Sequence, residues 1–217
     1  HLLRDRSFAV DMFQGQLRSV VQCSRCAFYS LRYDPFMYLQ LPVVRQDESL
    51  CESLQDCFAE FSKGSELKND EQWYCEKCKT KVDAMQHMSV YKYPPLLMIQ
   101  LKRFSMGPST LFSSSRSRKV SNLIKLLGTN NGKNNQVYDL FATVDHRGYS
   151  TNSGHYVANC LDFNEGQWYR YNDHRVTAVQ YDQGPDKEKF PVGPDNYILF
   201  FQRRNTDDGR NTSSHML

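Results

Sequence analysis

Apolar positions along the chain follow two different periods. Ser7 to Leu17 is a short amphipathic segment that leads into a first pair of cysteines. Phe36-Met37-Tyr38-Leu39-Gln40-Leu41 reads as a strand, stopped by Pro42. From Ser49 the period becomes helical, because Leu50, Leu54, Cys57, Phe58 and Phe61 fall on one helix face. Asp47 or Ser49 is expected to cap this helix at its start and Gly64 at its end. Cys51 and Cys57 would then lie inside it, with Cys57 on the apolar face as a small buried hydrophobe.

Beyond a second cysteine pair the pattern turns to strands. Pro94-Pro95 precedes Leu96-Leu97-Met98-Ile99-Gln100-Leu101, too short for a globular helix and apolar enough for a central strand. Further strands are predicted at Tyr138 to Val144, Tyr156 to Cys160, Trp168 to Tyr171 and Tyr197 to Phe201. Turn-rich stretches separate them, among them Thr129-Asn130-Asn131-Gly132 and Phe163-Asn164-Glu165-Gly166. Such short spacings favour antiparallel hairpins over helical crossovers. Residues 105–118 form a long Ser- and Arg-rich loop, and 205–217 a polar, aperiodic tail.

Composition narrows the class. The 217 residues carry 40% hydrophobic and 24% charged side chains, which suits a globular domain with a protruding subdomain. A formal net charge of +3 gives no reason to expect nucleic acid or an anionic membrane as partner. No stretch approaches the roughly 20 apolar residues of a membrane span, so no membrane insertion is expected. Charges interrupt the N-terminus before any signal-like apolar run develops, and the chain opens without Met, so a longer parent is expected. Seven cysteines, an odd number without a secretory signal, speak for a reducing, intracellular compartment, cytoplasmic and/or nuclear, and for metal or catalysis as their use.

Cys23-Ser24-Arg25-Cys26 and Cys75-Glu76-Lys77-Cys78 are two C-x2-C knuckles. Each places two thiolates on one side of a tight loop, and four thiolates complete a closed tetrahedral zinc site. The insertion between them is long, so the fold must bring them together. Lys77, Lys79 and Lys81 would offset part of the negative charge. Four buried free thiols, a redox C-x-x-C or an iron–sulfur cluster are the competing readings. His87 lies near the second knuckle, but four thiolates leave it no vacancy.

The second constellation is Gly154-His155-Tyr156-Val157-Ala158, followed by Trp168-Tyr169-Arg170-Tyr171-Asn172-Asp173. His155 falls where a Gly-rich loop meets a strand, and Gly154 removes a side chain that would crowd a passing substrate. A hairpin between the two segments would set an amide or carboxylate from Asn172 or Asp173 beside the imidazole. Cysteine proteases need such a group to hold the histidine's tautomer and orientation. A merely structural His155 is the bland alternative, and His146 and His174 read as surface or structural residues.

These elements together resemble the ubiquitin-specific protease family, papain-like deubiquitinases built as thumb, palm and fingers. The resemblance runs from about Phe8 to Arg203 through Met12-Phe13-Gln14-Gly15-Gln16, Phe36 to Pro42, Trp73-Tyr74-Cys75, Pro94-Pro95-Leu96-Leu97 and Leu101-Lys102-Arg103-Phe104. It continues through the Gly-His-Tyr box, Trp168 to Asp173 and Tyr197-Ile198-Leu199-Phe200-Phe201. It implies an α+β, papain-like fold in part, with fingers at about 14–92 and an antiparallel β palm at about 93–204. It implies His155 as general base, Asn172 as the third triad position, Asp173 as a supporting acid, and Cys23, Cys26, Cys75 and Cys78 as ligands of structural Zn²⁺. Ubiquitin and ubiquitinated proteins are the implied partners, and residues 105–118 and 147–153 the loops bordering the channel for ubiquitin's tail.

Two departures stand out. Nothing here matches the family's Cys box, so the nucleophile and thumb are expected to be missing and the chain alone inactive. Ser121-Asn122-Leu123-Ile124 replaces an expected Phe-Pro element after Lys119-Val120. The implied activity is hydrolysis after ubiquitin's C-terminal Gly by the complete protein. A catalytically dead module that binds ubiquitin or another partner is the second reading, and a zinc-ribbon domain without ubiquitin the third.

Overall fold

Helix α1 (Phe8–Phe13) is capped by the Ser7 hydroxyl, which accepts from the Val10 amide at 3.2 Å. At six residues it is too short to stand alone and lies against the strand Leu96–Lys102. The computed structural model describes residues 7–103, 136–150, 153–180 and 195–204. The 105–118 loop, the 121–124 replacement, the 129–132 turn and the 205–217 tail lie outside the described residues.

Strands β1 (Gly15–Cys23) and β2 (Tyr29–Phe36) form an antiparallel pair, and β3 (Leu39–Pro42) follows after a bend. The single strand expected from Phe36 to Leu41 is therefore two, belonging to different sheets, and Pro42 ends β3 from inside it. Gly15 permits the start of this layout: a Cβ there would lie 2.3 Å from the Phe36 ring.

Helix α2 (Leu54–Ser62) starts later than its apolar period suggests. Ser53 caps it in a reciprocal box. Its hydroxyl accepts from the Asp56 amide at 3.1 Å, and the Asp56 carboxylate accepts from the Ser53 amide at 3.0 Å. Asp47 instead closes a turn at Ser49, accepting from its amide and hydroxyl at 3.0 and 2.6 Å, and the Cys51 amide donates to the Val43 carbonyl. Cys51 thus precedes the helix, whereas Cys57 sits on it, fully buried in the main core. Two orphan amides satisfied at once outweigh a periodicity that runs on through an extended segment. Ser53→Ala is expected to cost about 1 kcal/mol in denaturant unfolding; an unchanged midpoint would move the helix start elsewhere.

Strand β4 (Ser65–Leu67), the hairpin of β5 (Trp73–Cys75) and β6 (Thr80–Val82), and β7 (Ala84–Lys92) complete the first half. They build a four-stranded sheet, β2-β1-β7-β4, beside the β5-β6 hairpin. The second half supplies β8 (Leu96–Lys102), β9 (Tyr138–Ser150), β10 (Ser153–Asp162), β11 (Gln167–Asn172), β12 (Arg175–Val179) and β13 (Asn196–Arg203). With β3 they form a seven-stranded sheet in the order β12-β11-β10-β9-β13-β8-β3.

Neighbours in the large sheet are antiparallel except β3 and β8, which pair in parallel. A parallel pair needs a long crossover. Here α2 and the strands β4 to β7 supply it, so β4 and β7, the half of the small sheet that follows β3, and the β5-β6 hairpin lie within that crossover. Leu97, Ile99 and Leu101 on β8 are wholly buried together with Leu39, Leu41, Tyr138, Leu199 and Phe201. A separate small core gathers Cys23, Cys75 and Val82, with Trp73 packed against it. Among the described residues no helix is long and apolar enough to cross a membrane.

Candidate active site and metal centre

The two knuckles meet although they lie far apart in sequence. Cys23 ends β1 and Cys75 ends β5, while Cys23 pairs across to Ala84 on β7, next in the chain after the β5-β6 hairpin. The turns that follow are alike. Backbone amides of Arg25 and Cys26 point at the Cys23 sulfur at 3.3 and 3.4 Å, and the Cys78 amide points at that of Cys75 at 3.4 Å. Each turn closes through a residue in left-handed backbone, Ala27 and Lys79, both with φ 56°. All four Sγ atoms lie within 4.8 Å of one another, and no disulfide joins them.

The sulfur spacing suits a tetrahedral ion. With Zn–S near 2.3 Å, the edge of a ZnS₄ tetrahedron is about 3.8 Å. Cys23 and Cys78 are 3.9 Å apart, and Cys26 and Cys75 3.7 Å. Burial pushes the Cys23 thiol up, but the amides of Cys26 and Arg25 and the neighbouring thiols outweigh it and bring it down to about 7. His87 on β7 is not among the clustered donors.

The other three cysteines are placed quite differently. Burial pushes the thiols of Cys51, Cys57 and Cys160 up. Thiols held protonated in apolar surroundings are poor nucleophiles. Cys160 shares β10 with His155 but lies five positions on, hence on the opposite face.

The second constellation also converges. Strands β10 and β11 pair through Ala158↔Tyr171 and Asn159↔Arg170, and His155 reaches diagonally to Asn172 at the end of β11. The distance from His155 Nε2 to Asn172 Oδ1 is 2.5 Å. Asp173 follows in left-handed backbone, φ 50°, a conformation that Asp tolerates in tight turns. Its Oδ2 lies 3.7 Å from the same Nε2. The imidazole is about half exposed.

Gly154 has a reason beyond substrate clearance. A Cβ at this position would come within 2.3 Å of His146 Nε2. His146 is buried, its ring 4.9 Å from that of Tyr156, and its backbone amide donates to the Asp195 carbonyl. It therefore forms part of the floor under the Gly154-His155 step.

Sequence reasoning missed a buried polar network beside this pair. Asn159 on β10 donates to Thr143 Oγ1 and to Asp145 Oδ2, each at 3.0 Å, and accepts from Arg170 Nε at 3.0 Å. Asp145 also accepts from Asn196 Nδ2 at 2.5 Å, and Arg103 donates from Nε to the Asn196 carbonyl. Burial pushes the Arg103 guanidinium down, and the Asp195 and Asp145 carboxylates oppose the shift. Polar residues at inward positions of otherwise apolar strands were the available signal.

The whole chain can be set beside known proteins. Residues 1–201 match the family model described as "UCH: Ubiquitin carboxyl-terminal hydrolase". The chain is 32% identical over 203 residues to ubiquitin carboxyl-terminal hydrolase 2 of Gallus gallus, covering 92% of this chain and 54% of that protein. It is 32% identical over 205 residues to ubiquitin carboxyl-terminal hydrolase 21 of Mus musculus, covering 93% and 34%. A solved structure of the SAGA DUB module Ubp8/Sgf11/Sus1/Sgf73 bound to monoubiquitin superposes with a TM-score of 0.70 at 28% identity, over 93% of this chain and 43% of that one. The chain thus spans about half or less of the length of the proteins it matches.

Proposed function

This chain belongs to the ubiquitin carboxyl-terminal hydrolase family, and we propose that it is the fingers (about 14–92) and palm (about 93–204) of a cysteine-type deubiquitinase acting after ubiquitin's C-terminal Gly. The observation that carries the reading is the 2.5 Å contact between His155 Nε2 and Asn172 Oδ1. An amide oxygen only accepts, so the ring proton resides on Nε2 and Nδ1 offers a lone pair. In the complete protein that nitrogen takes the proton of a cysteine thiol, and the thiolate attacks the carbonyl of the terminal Gly. The imidazolium then protonates the departing amine. Water, deprotonated by the same Nδ1, breaks the thioester and frees ubiquitin. Asn172 holds the ring throughout, and the Asp173 carboxylate stands 3.7 Å from the same Nε2.

The nucleophile comes from a part of the protein that this chain does not include. Supporting this are the four cysteines gathered in one cluster and the three others held as thiols. The clustered sulfurs fit Zn²⁺, which when bound cross-links the tips of two strand pairs. Seven free thiols support an intracellular setting, cytoplasmic and/or nuclear. The test is turnover of ubiquitin carrying a C-terminal fluorogenic amide by the complete protein and by this chain alone. Turnover by the complete protein that an alkylating agent abolishes, with none by this chain, is the expected result. Ubiquitin binding without turnover in the complete protein would make it a binding module instead. Turnover by the chain alone would return the nucleophile to Cys51, Cys57 or Cys160.

A further inference from the structure

The buried amide of Asn159 connects the candidate site to the rest of the palm. It is wholly buried, and its hydrogen-bonding groups are spoken for: two donated bonds to Thr143 and Asp145 on β9 and one accepted from Arg170 on β11. The directions are mutually consistent. Thr143 Oγ1 accepts from Asn159 and donates to Asp145 Oδ1 at 3.3 Å, so the Asn159 side chain has one orientation only. Asn159 stands directly opposite Thr143 on one side and Arg170 on the other, so the three side chains form a rung across three strands.

That rung lies on the face that carries the site. His155, Val157 and Asn159 share one face of β10, and Arg170 and Asn172 share one face of β11. Val157, wholly buried, stands between His155 and Asn159 on that face. Apolar packing alone is non-directional and would let β11 shift by fractions of an ångström against β10. A buried amide bonded on both sides does not, because any slip leaves polar groups without water or partner. Tolerances of about 0.5 Å are what a working constellation demands.

We propose that Asn159 and Arg170, anchored by Asp145, are positioning residues that set the His155–Asn172 contact. The inference rests on His155 acting as the general base. Neither residue touches the reacting atoms, and their effect passes through the spacing of β10 and β11.

The test reads the imidazole directly. In the zinc-loaded chain labelled with ¹⁵N-histidine, with His155 assigned by comparison with His155→Gln, the Nε2 proton should be seen in the hydrogen-bonded range. In Arg170→Met, which keeps the stem and removes the donor, exchange of that proton with water should quicken by roughly ten-fold or more, and Arg170→Lys should recover a good part of the protection. Asn159→Ser should act like Arg170→Met. In the complete protein, Arg170→Met should lower kcat by roughly ten- to a hundred-fold with KM little changed. If Arg170→Met and Asn159→Ser fold, by their near-UV circular dichroism, and keep the wild-type imidazole signals, the proposal is overturned. Should Asn159→Ser not fold, Arg170→Met decides alone, since Arg170 is only half-buried near the sheet's edge. Loss of protection in a parent protein without turnover would sustain the positioning role and remove the hydrolase reading instead.

Discussion

His155→Ala in the complete protein is expected to lower kcat/KM for release of ubiquitin's C-terminal leaving group by on the order of 10⁴-fold. Without Nδ1 no base withdraws the thiol proton and no acid protonates the departing amine, so both halves of the reaction suffer. Asn172→Ala should cost less, roughly 10- to 100-fold, because the ring survives but loses the acceptor 2.5 Å from Nε2. Asn172→Asp should retain most of the turnover, since a carboxylate oxygen accepts the same proton. The ordering of the three is the critical result. A His155→Ala protein with wild-type turnover would remove His155 from the chemistry, and an inert Asn172→Ala would reduce the short contact to a structural one.

Loss of metal is the second large effect. The chain should carry one zinc ion by elemental analysis, and Cys75→Ser should abolish it. Structural zinc contributes about 10–16 kcal/mol of apparent binding energy in small zinc-dependent folds, and here it would hold the ends of β1 and β5 together. The protein contacts beside it are small: a core of Cys23, Cys75 and Val82 with Trp73 alongside, the Phe28–Trp73 ring stack, and the Ser24 amide bonded to the Asp83 carbonyl. The main core, from Leu39 to Phe201, is a separate cluster. Hydrogen exchange in Cys75→Ser should therefore rise sharply in β5, β6 and the last residues of β1, while β8 and β13 stay protected. Zinc-free protein with full protection in β5 and β6 would show that the thiols hold the knuckles without an ion.

Much of this was legible before any coordinates. The two C-x2-C knuckles carry their own geometry, since a tight turn with paired thiolates is a local property. The five strands predicted from Leu96 onward follow from short apolar runs and all form, β9 and β10 extending well beyond the predicted bounds, whereas β12, exposed along most of its length, carries no such run and was not predicted. The Gly-His-Tyr box and the segment ending in Asn172-Asp173 were visible as two segments whose side chains would meet, and His155 and Asn172 do. A helix start misread by several residues shows where local reasoning weakens: Ser53 and Asp56 bond each other only once the chain before them has left the helical path.

Tertiary structure alone decided the rest. Nothing local could disclose that β3 and β8 are parallel neighbours, because pairing over a long crossover depends on which apolar faces meet. Nor could it disclose Asp145, Asn159 and Arg170 as one network, since β9, β10 and β11 come into register only through backbone ladders. Chemistry written in adjacent residues can be read from sequence, because the covalent chain holds those residues together. Chemistry shared between strands is fixed by packing and hydrogen-bond register, which exist only in the folded molecule.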